Sequence, residues 1–384
     1  MLTPYDFGAA GDGRTDDTQA VNEFLAYAAD HVVLEAKFVG TFRVTDTIKF
    51  RPSDPEQKSF ATNDMRLRAT LIVDRPSTNP GPGIEIAGVS GGVFSGKLSV
   101  KGVTGQRWPL GRYMTHGVVY GDGVRQAMFD SLYVEGALLW GVHKDGSDGN
   151  AVEDIGSNSR VRYAMVHCTD CGLSDKHDAL AGWANSYVSH TDNDARHGDE
   201  RSIVELAKGI PPHIEDKGRS AILINGNVYG IARVVDDRHI EIFPRVAEDV
   251  SKGNKILFAI GGGVFQDSVD FSLWSYGVVD VSWCGIGWYD ANMYGNSVQL
   301  MHISKVIIAG LIGSFPTGPL YGGFVGQLYT EGNTPVRGFP SWGDSSYTIG
   351  DSRITVAKDF YRIYANKGKA YRRAPFTGTL HRGD

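Results

Sequence analysis

Asp6-Phe-Gly-Ala-Ala-Gly-Asp-Gly-Arg-Thr-Asp-Asp-Thr18 opens the chain, and Ala20, Val21, Phe24, Leu25 and Ala28 follow it as an apolar face at helical spacing. Asp16, Asp17 and Thr18 stand where an N-cap and an acidic first turn belong, so the pattern predicts a short helix over roughly 17–29. The glycines and aspartates in front of it are turn and cap formers, which makes Asp12, Asp16 and Asp17 structural residues. A strand, a glycine turn and a capped helix therefore begin the molecule. Val32–Leu34, Gly40–Val44 and Thr47–Phe50 read as short strands separated by polar breaks.

Outward from that start, the chain becomes a run of short β-rich segments punctuated by Gly, Asn, Asp and Ser. The segments are Leu67–Val73, Gly92–Val100, Ala127–Val134, Val161–Val166, Asn185–His190, Gly277–Val281, Ser297–Ile303 and Lys305–Ile308. They recur at about 22–34 residues, the period of stacked repeats. No helix-length periodic stretch follows residue 29, and the 49 glycines among 384 residues carry no collagen period, so they mark turns. The expected class is all-β, a parallel β-solenoid with loops of uneven length. Residues 201–262 break the repeat with closely spaced strands and a hairpin turn at Asp236-Asp237, which reads as a small antiparallel β-module. The expected organisation is 1–65 for the opening strand and capping helix, 66–200 for coils, 201–262 for the insert, and 263–384 for further coils and the C-terminal segment.

Hydrophobic residues make up 41% of the chain, enough for a core, which excludes global disorder. Thirty-eight Lys and Arg against 44 Asp and Glu give a net charge of −6, no general footprint for nucleic acid or an anionic membrane, though compatible with a locally basic groove. Cys168, Cys171 and Cys284 are too few for a disulfide framework, and the single CxxC lacks the second pair a structural zinc site needs. They read as core residues, and no metal or cofactor is expected. No basic n-region with an apolar h-region opens the chain, and no apolar run reaches about 18 residues, so neither a signal peptide nor membrane insertion is expected.

The stretch DFGAAGDGRTDDTQAVNEFL, residues 6–25, resembles the N-terminal signature of the pectate-lyase-like superfamily. The resemblance implies a single-stranded, right-handed parallel β-helix with a capping helix and a long shallow flank suited to an extended polysaccharide. That superfamily includes polysaccharide lyases, glycoside hydrolases, uronan epimerases and phage tailspike depolymerases, so the signature leaves the reaction open. Together with the absent signal peptide and the irregular insert, it suggests a tailspike-like, homotrimeric protein, extracellular or virion-associated.

Ionisable residues are densest at Asp175-Lys176-His177-Asp178 and from His190 through Asp192, Asp194, Arg196 and His197 to Glu200. One solenoid coil separates the clusters, so they are expected to stack on neighbouring rungs about 4.8 Å apart. Hydrolysis needs a protonated acid and a second carboxylate, for which Asp175, Asp192 and Asp194 are candidates. Elimination from a uronic acid needs a base for the C5 proton (His177 or Lys176), a cation for the substrate carboxylate (Arg196) and an acid for the leaving oxygen (His197 or a tyrosine). Asp175-Lys-His-Asp178 is also similar to the Asp-Pro-His-Asp core of mannuronan C5-epimerases, with Lys176 in place of Pro. Aspartate and histidine are equally at home in β-turns, which is the structural alternative for all of these residues.

Trp283, Trp288, Tyr289, Asp290 and Tyr294 form a polar-aromatic set suited to stacking on sugar faces, or alternatively to a core or trimer contact. His143-Lys144-Asp145 is a smaller candidate cluster, and Glu331 ranks below it. The overall expectation is a depolymerase of an extracellular or capsular polysaccharide, with the carboxylate count favouring hydrolysis over elimination. A non-catalytic glycan-binding spike is the rival reading.

Overall fold

The opening stretch folds around its aspartates. Asp12 closes an Asx turn, its Oδ1 accepting from the backbone N–H of Arg14 (2.7 Å) and of Thr15 (2.8 Å). Asp16 accepts from the N–H of Thr18 at 3.1 Å. Asp17, only 2% exposed, turns back to bind the amides of Ala10 (2.7 Å) and Gly11 (3.1 Å). Helix α1 (Thr18–Asp30) follows and buries Ala20, Val21, Phe24, Leu25, Ala28 and Ala29. It starts after both aspartates and its first turn carries no acid; Asp16 caps its first residue, Thr18, while the Asp17 carboxylate braces the preceding loop.

The structure is a computed structural model that describes residues 1–54, 60–62, 64–89, 91–103, 113–121, 123–124, 126–146, 161–174, 188–192, 201–211, 214, 220–224, 227–243, 246, 256–268, 274–290, 297–304, 306, 308–312, 323–331, 347–349, 355–356 and 381–382. Among them the protein is all-β apart from α1 and a 3-10 turn at Pro4–Phe7. The first run of strands is β1 (Asp12–Asp16), β2 (Ala36–Val44), β3 (Ile48–Phe50), β4 (Asp64–Val73), β5 (Ile84–Ile86), β6 (Val93–Gly102), β7 (Val118–Tyr120), β8 (Met128–Glu135), β9 (Trp140–Gly146) and β10 (Arg162–Thr169). The second run is β11 (Leu173–Ser174), β12 (Val188–Asp192), β13 (Ser202–Leu206), β14 (Ser220–Ile224), β15 (Asn227–Val234), β16 (His239–Phe243) and β17 (Ile256–Ile260). The third is β18 (Gly262–Ser268), β19 (Ser275–Ser282), β20 (Ile286–Asp290), β21 (Ser297–Ser304), β22 (Ile308–Ile312), β23 (Gly323–Glu331) and β24 (Tyr347–Ile349).

From β2 to β10 and again from β18 to β23 the chain alternates between two parallel sheets. One is ten-stranded, in the order β1-β2-β4-β6-β8-β10-β19-β21-β23-β24, and the other seven-stranded, in the order β22-β20-β18-β9-β7-β5-β3. Identical positions recur on successive strands, so side chains stack in columns. Phe94, Phe129, Tyr163 and Tyr276 align in register and stack, with ring centroids 4.8, 4.9 and 5.8 Å apart. That column belongs to a core running from Ala9 to Val306. The buried thiols of Cys168, Cys171 and Cys284 lie in the same core.

The third sheet is antiparallel, in the order β11-β17-β14-β15-β16-β13-β12. Its first strand lies at Leu173–Ser174 and it includes Val188–Asp192, so antiparallel pairing begins upstream of residue 201, in a segment the sequence suggested would be coil. The chain leaves and returns through Gly172 (φ +75) and Gly261 (φ +67), and a Cβ on Gly172 would sit 2.5 Å from the carbonyl carbon of Gly261. Only glycine fits both the left-handed backbone and that approach. The hairpin between β15 and β16 turns at Asp236, whose Oδ1 accepts the N–H groups of Arg238 and His239, each at 2.8 Å. A second apolar core joins this sheet to Trp140, Phe265, Ile286 and Tyr289 of the seven-stranded parallel sheet. Val32–Leu34 forms no strand, and Val32 and Leu34 are exposed.

Candidate active site

Strand alternation decides which side chains the ten-stranded sheet presents outward. On β10, Tyr163, Val166 and Cys168 are buried, leaving His167 and Thr169 on the outer face. On β8, Leu132 and Val134 are buried, leaving Tyr133 and Glu135 outward; on β19, Val279 and Val281 leave Asp280 and Ser282. Register then aligns Ser99, Tyr133, His167, Asp280 and His302 across five neighbouring strands.

Asp280 bridges two imidazoles. Nδ1 of His167 lies 2.7 Å from its Oδ2, and Nδ1 of His302 lies 2.9 Å from its Oδ1. A carboxylate only accepts, so each Nδ1 carries a proton and donates it to Asp280, which leaves Nε2 as the ring nitrogen not engaged by that carboxylate. Hydrogen bonding from His167 first, and then from His302, holds Asp280 below the usual carboxylate range against the opposing effect of burial. The ring of Tyr133 stacks on His167 at 4.8 Å and 6°. Its hydroxyl donates to Glu135 at 3.0 Å, and Lys101 Nζ meets the same carboxylate oxygen at 3.1 Å. Lys97 and Lys101 lie over the Tyr133 ring, 4.7 and 5.2 Å from its centroid. Burial, with the hydrogen bond to Glu135, pushes the Tyr133 hydroxyl up to about 12, so it remains a proton donor. Burial raises Glu135, but bonds from Lys101 and Tyr133 outweigh it, and the net shift is downward. One step along the strands, Ser282 donates to Thr169 at 3.1 Å.

The row thus holds an oriented imidazole base, a protonated phenol and two ammonium groups on one half-exposed surface. Among the described residues, no group of three His, Cys, Asp or Glu side chains has the geometry to hold a metal ion.

The residues singled out by sequence fall elsewhere. Asp175, Lys176, His177, Asp194, Arg196, His197 and Tyr294 lie outside the described residues. Asp192 ends β12, the edge strand of the antiparallel sheet, paired with Ile203. That strand runs antiparallel to β13, so it does not stack as a rung of the parallel sheets. Trp288 and Tyr289 are 2% and 1% exposed, and neither offers a face to a sugar. Trp288 packs edge-on to Tyr276, and Tyr289 stacks on Phe265. The two residues sit in the two different cores, because β20 is covered on one side by the main core and on the other by the antiparallel sheet. Asp290 ends β20, in register with Gln266 and Ile312. Trp283 is 47% exposed and left-handed (φ 57), just past the Asp280 strand. His143 and Lys144 are buried, with Lys144 Nζ 4.8 Å from the Trp274 ring; Glu331 ends β23, in register with Ser304.

Sequence reasoning located the strands that carry Tyr133, Asp280 and His302 and missed the row itself. Asp280 is 113 residues from His167 and 22 from His302, so no local motif joins them. The available signal was a polar residue at the outward position of each successive strand. No family model matches the chain, and no curated protein matches it.

Proposed function

We propose that this protein is a depolymerase of an acidic extracellular polysaccharide, acting by β-elimination at the Tyr133–His167–Asp280–His302 row. In this reading the two parallel sheets are flanks of a right-handed parallel β-helix with an inserted antiparallel module. The alternation of the chain between them and the in-register aromatic column support it. A tailspike-like, trimeric, extracellular or virion-associated setting follows from the resemblance of residues 6–25. Among the described residues no helix is long and apolar enough to cross a membrane.

The observation that carries the chemistry is Asp280 bridging His167 and His302 in the centre of an exposed parallel sheet. His167 Nε2 takes the C5 proton of a uronate, the released pair forms the C4=C5 double bond, and the C4–O4 bond breaks. The departing oxygen takes its proton from the Tyr133 hydroxyl. Asp280 fixes the imidazole tautomer and stabilises the imidazolium that forms. Lys97, which lies over the Tyr133 ring, is the cation assigned to balance the charge that accumulates on the substrate carboxylate, since Lys101 is taken up by Glu135.

Hydrolysis suits this row less well. It needs a carboxylic acid held protonated, and both carboxylates here, Asp280 and Glu135, are shifted the other way. Mass analysis of the products tests the proposal. Elimination yields oligosaccharides ending in an unsaturated uronate, each lighter by one water than the hydrolytic product; saturated products alone would overturn it.

A further inference from the structure

The outer face of the ten-stranded sheet is electrically lopsided. On the N-terminal side of the His167–Asp280 pair, β4 presents Arg66 and Arg68 and β6 presents Lys97, all exposed. On β19 and β21 the same face carries Ser275, Ser282, Ser297 and Ser304 beside Asp280 and His302. Other cations of this N-terminal region are neutralised: Lys37 by Glu35 (2.7 Å), Arg43 by Asp74 (2.8 Å) and Lys101 by Glu135 (3.1 Å). Among the described residues, no carboxylate forms an ion pair with Arg66, Arg68 or Lys97; Asp64 shares the exposed face of β4 and pairs with neither arginine.

Arg68 and Lys97 are also directly opposite each other in register. Like charges at opposed positions destabilise a sheet by roughly 0.2–1 kcal/mol, and the described contact that offsets this pair is that of Lys97 with the Tyr133 ring, 4.7 Å to its centroid, and not a carboxylate. Beside these cations, Thr41 and Thr70 align in register with the buried Ser99 and with Tyr133, and lead to His167. The result is a threonine-lined track beside three exposed cations, of which Arg66 acts on Glu35 beyond ion-pair distance, Lys97 lies over the Tyr133 ring and Arg68 meets no carboxylate at ion-pair distance among the described residues, in a chain of net charge −6.

We infer that this track is an anion-binding subsite for the non-reacting acidic residues of the polymer, which lies across the strands and extends from His167 toward β4. The inference rests on the elimination reading for the position of the scissile bond. The strand spacing of about 4.8 Å is close to the length of one sugar unit, so Arg68, three strands from His167, meets a residue beyond the reacting pair. Acidic groups are therefore read on one side of the cleaved bond.

The test is affinity electrophoresis of the full chain in gels containing polygalacturonate, alginate or hyaluronan, with dextran and duplex DNA as controls, together with kinetics on polymer and on short oligomers. The wild type is expected to be retarded by at least one acidic polysaccharide and not by dextran. Arg66→Gln/Arg68→Gln should lose that retardation and raise KM for polymer about tenfold, with kcat and the short-oligomer rates unchanged. Unchanged retardation in the double variant, retardation by none of the three polymers, or equal retardation by DNA would each overturn the subsite. If the wild type cleaves nothing yet its retardation depends on the two arginines, the track stands and the elimination reading falls.

Discussion

Two carboxylates in this molecule each bridge a pair of basic side chains, and their surroundings set them apart. Glu241 of the antiparallel sheet is fully buried, with Arg233 Nε at 2.9 Å and Arg201 Nη1 at 3.2 Å from one oxygen. Asp280 of the parallel sheet is about a quarter exposed and holds His167 and His302 at 2.7 and 2.9 Å. Arginine is a permanent cation with a rigid fork of donors, so the two bonds to Glu241 tie strand to strand. Imidazole is a side chain able to pass on a proton, and His167 and His302 stand at a partly exposed surface, so Asp280 orients groups suited to proton transfer. The same three-residue pattern is a rivet in one place and the proposed reaction centre in the other.

Breaking the surface triad should cost activity and little stability. His167→Ala is expected to lower kcat/KM on an acidic polysaccharide by about 10²–10⁴, the usual worth of a positioned general base, with a melting temperature close to wild type. Breaking the buried triad should do the reverse. Glu241→Ala removes the buried carboxylate shared by Arg201 and the half-exposed Arg233 and is expected to cost about 1.5–3 kcal/mol by denaturant unfolding, with activity per folded molecule preserved. A large kcat/KM loss in the folded Glu241 variant would erase the distinction.

Smaller effects sharpen it. Tyr133→Phe keeps the ring stacked on His167 and removes only the hydroxyl; kcat should fall about 10–100-fold, while a KM change alone would assign Tyr133 to binding. The acid side of the stability profile gives the finest test. The folded pKa of Asp280 lies below its unfolded value, so its bonds to the imidazoles stabilise the protein above the ordinary carboxylate range. That contribution is lost as pH falls through the lowered folded value. Melting temperatures of wild type and Asp280→Asn, followed downward from about pH 7, should converge at low pH. Parallel curves would mean that Asp280 is not held anionic by its neighbours.

The strand-rich fold was legible because its signals are local. The caps at Asp12, Asp16 and Asp17, the apolar face of α1 and the turn at Asp236 each involve residues a few positions apart. The candidate site was not, because its four residues come one from each of four strands, and the antiparallel sheet is inserted between the strands of His167 and Asp280. Density of ionisable residues along a chain and density across strands are different quantities. The sequence left Trp288 and Tyr289 open between sugar stacking and a core or trimer contact; both are core, because β20 is packed on both faces, a fact that depends on where the inserted sheet docks.

The central claim is that the histidine–aspartate row performs an elimination. Its most direct test is to incubate wild type and His167→Ala with a panel of acidic polysaccharides, following ultraviolet absorbance of unsaturated uronate and reducing ends in the same samples. The account predicts that both signals rise together with the wild type and that both collapse in the variant. Reducing ends without absorbance, or undiminished activity in His167→Ala, would contradict it.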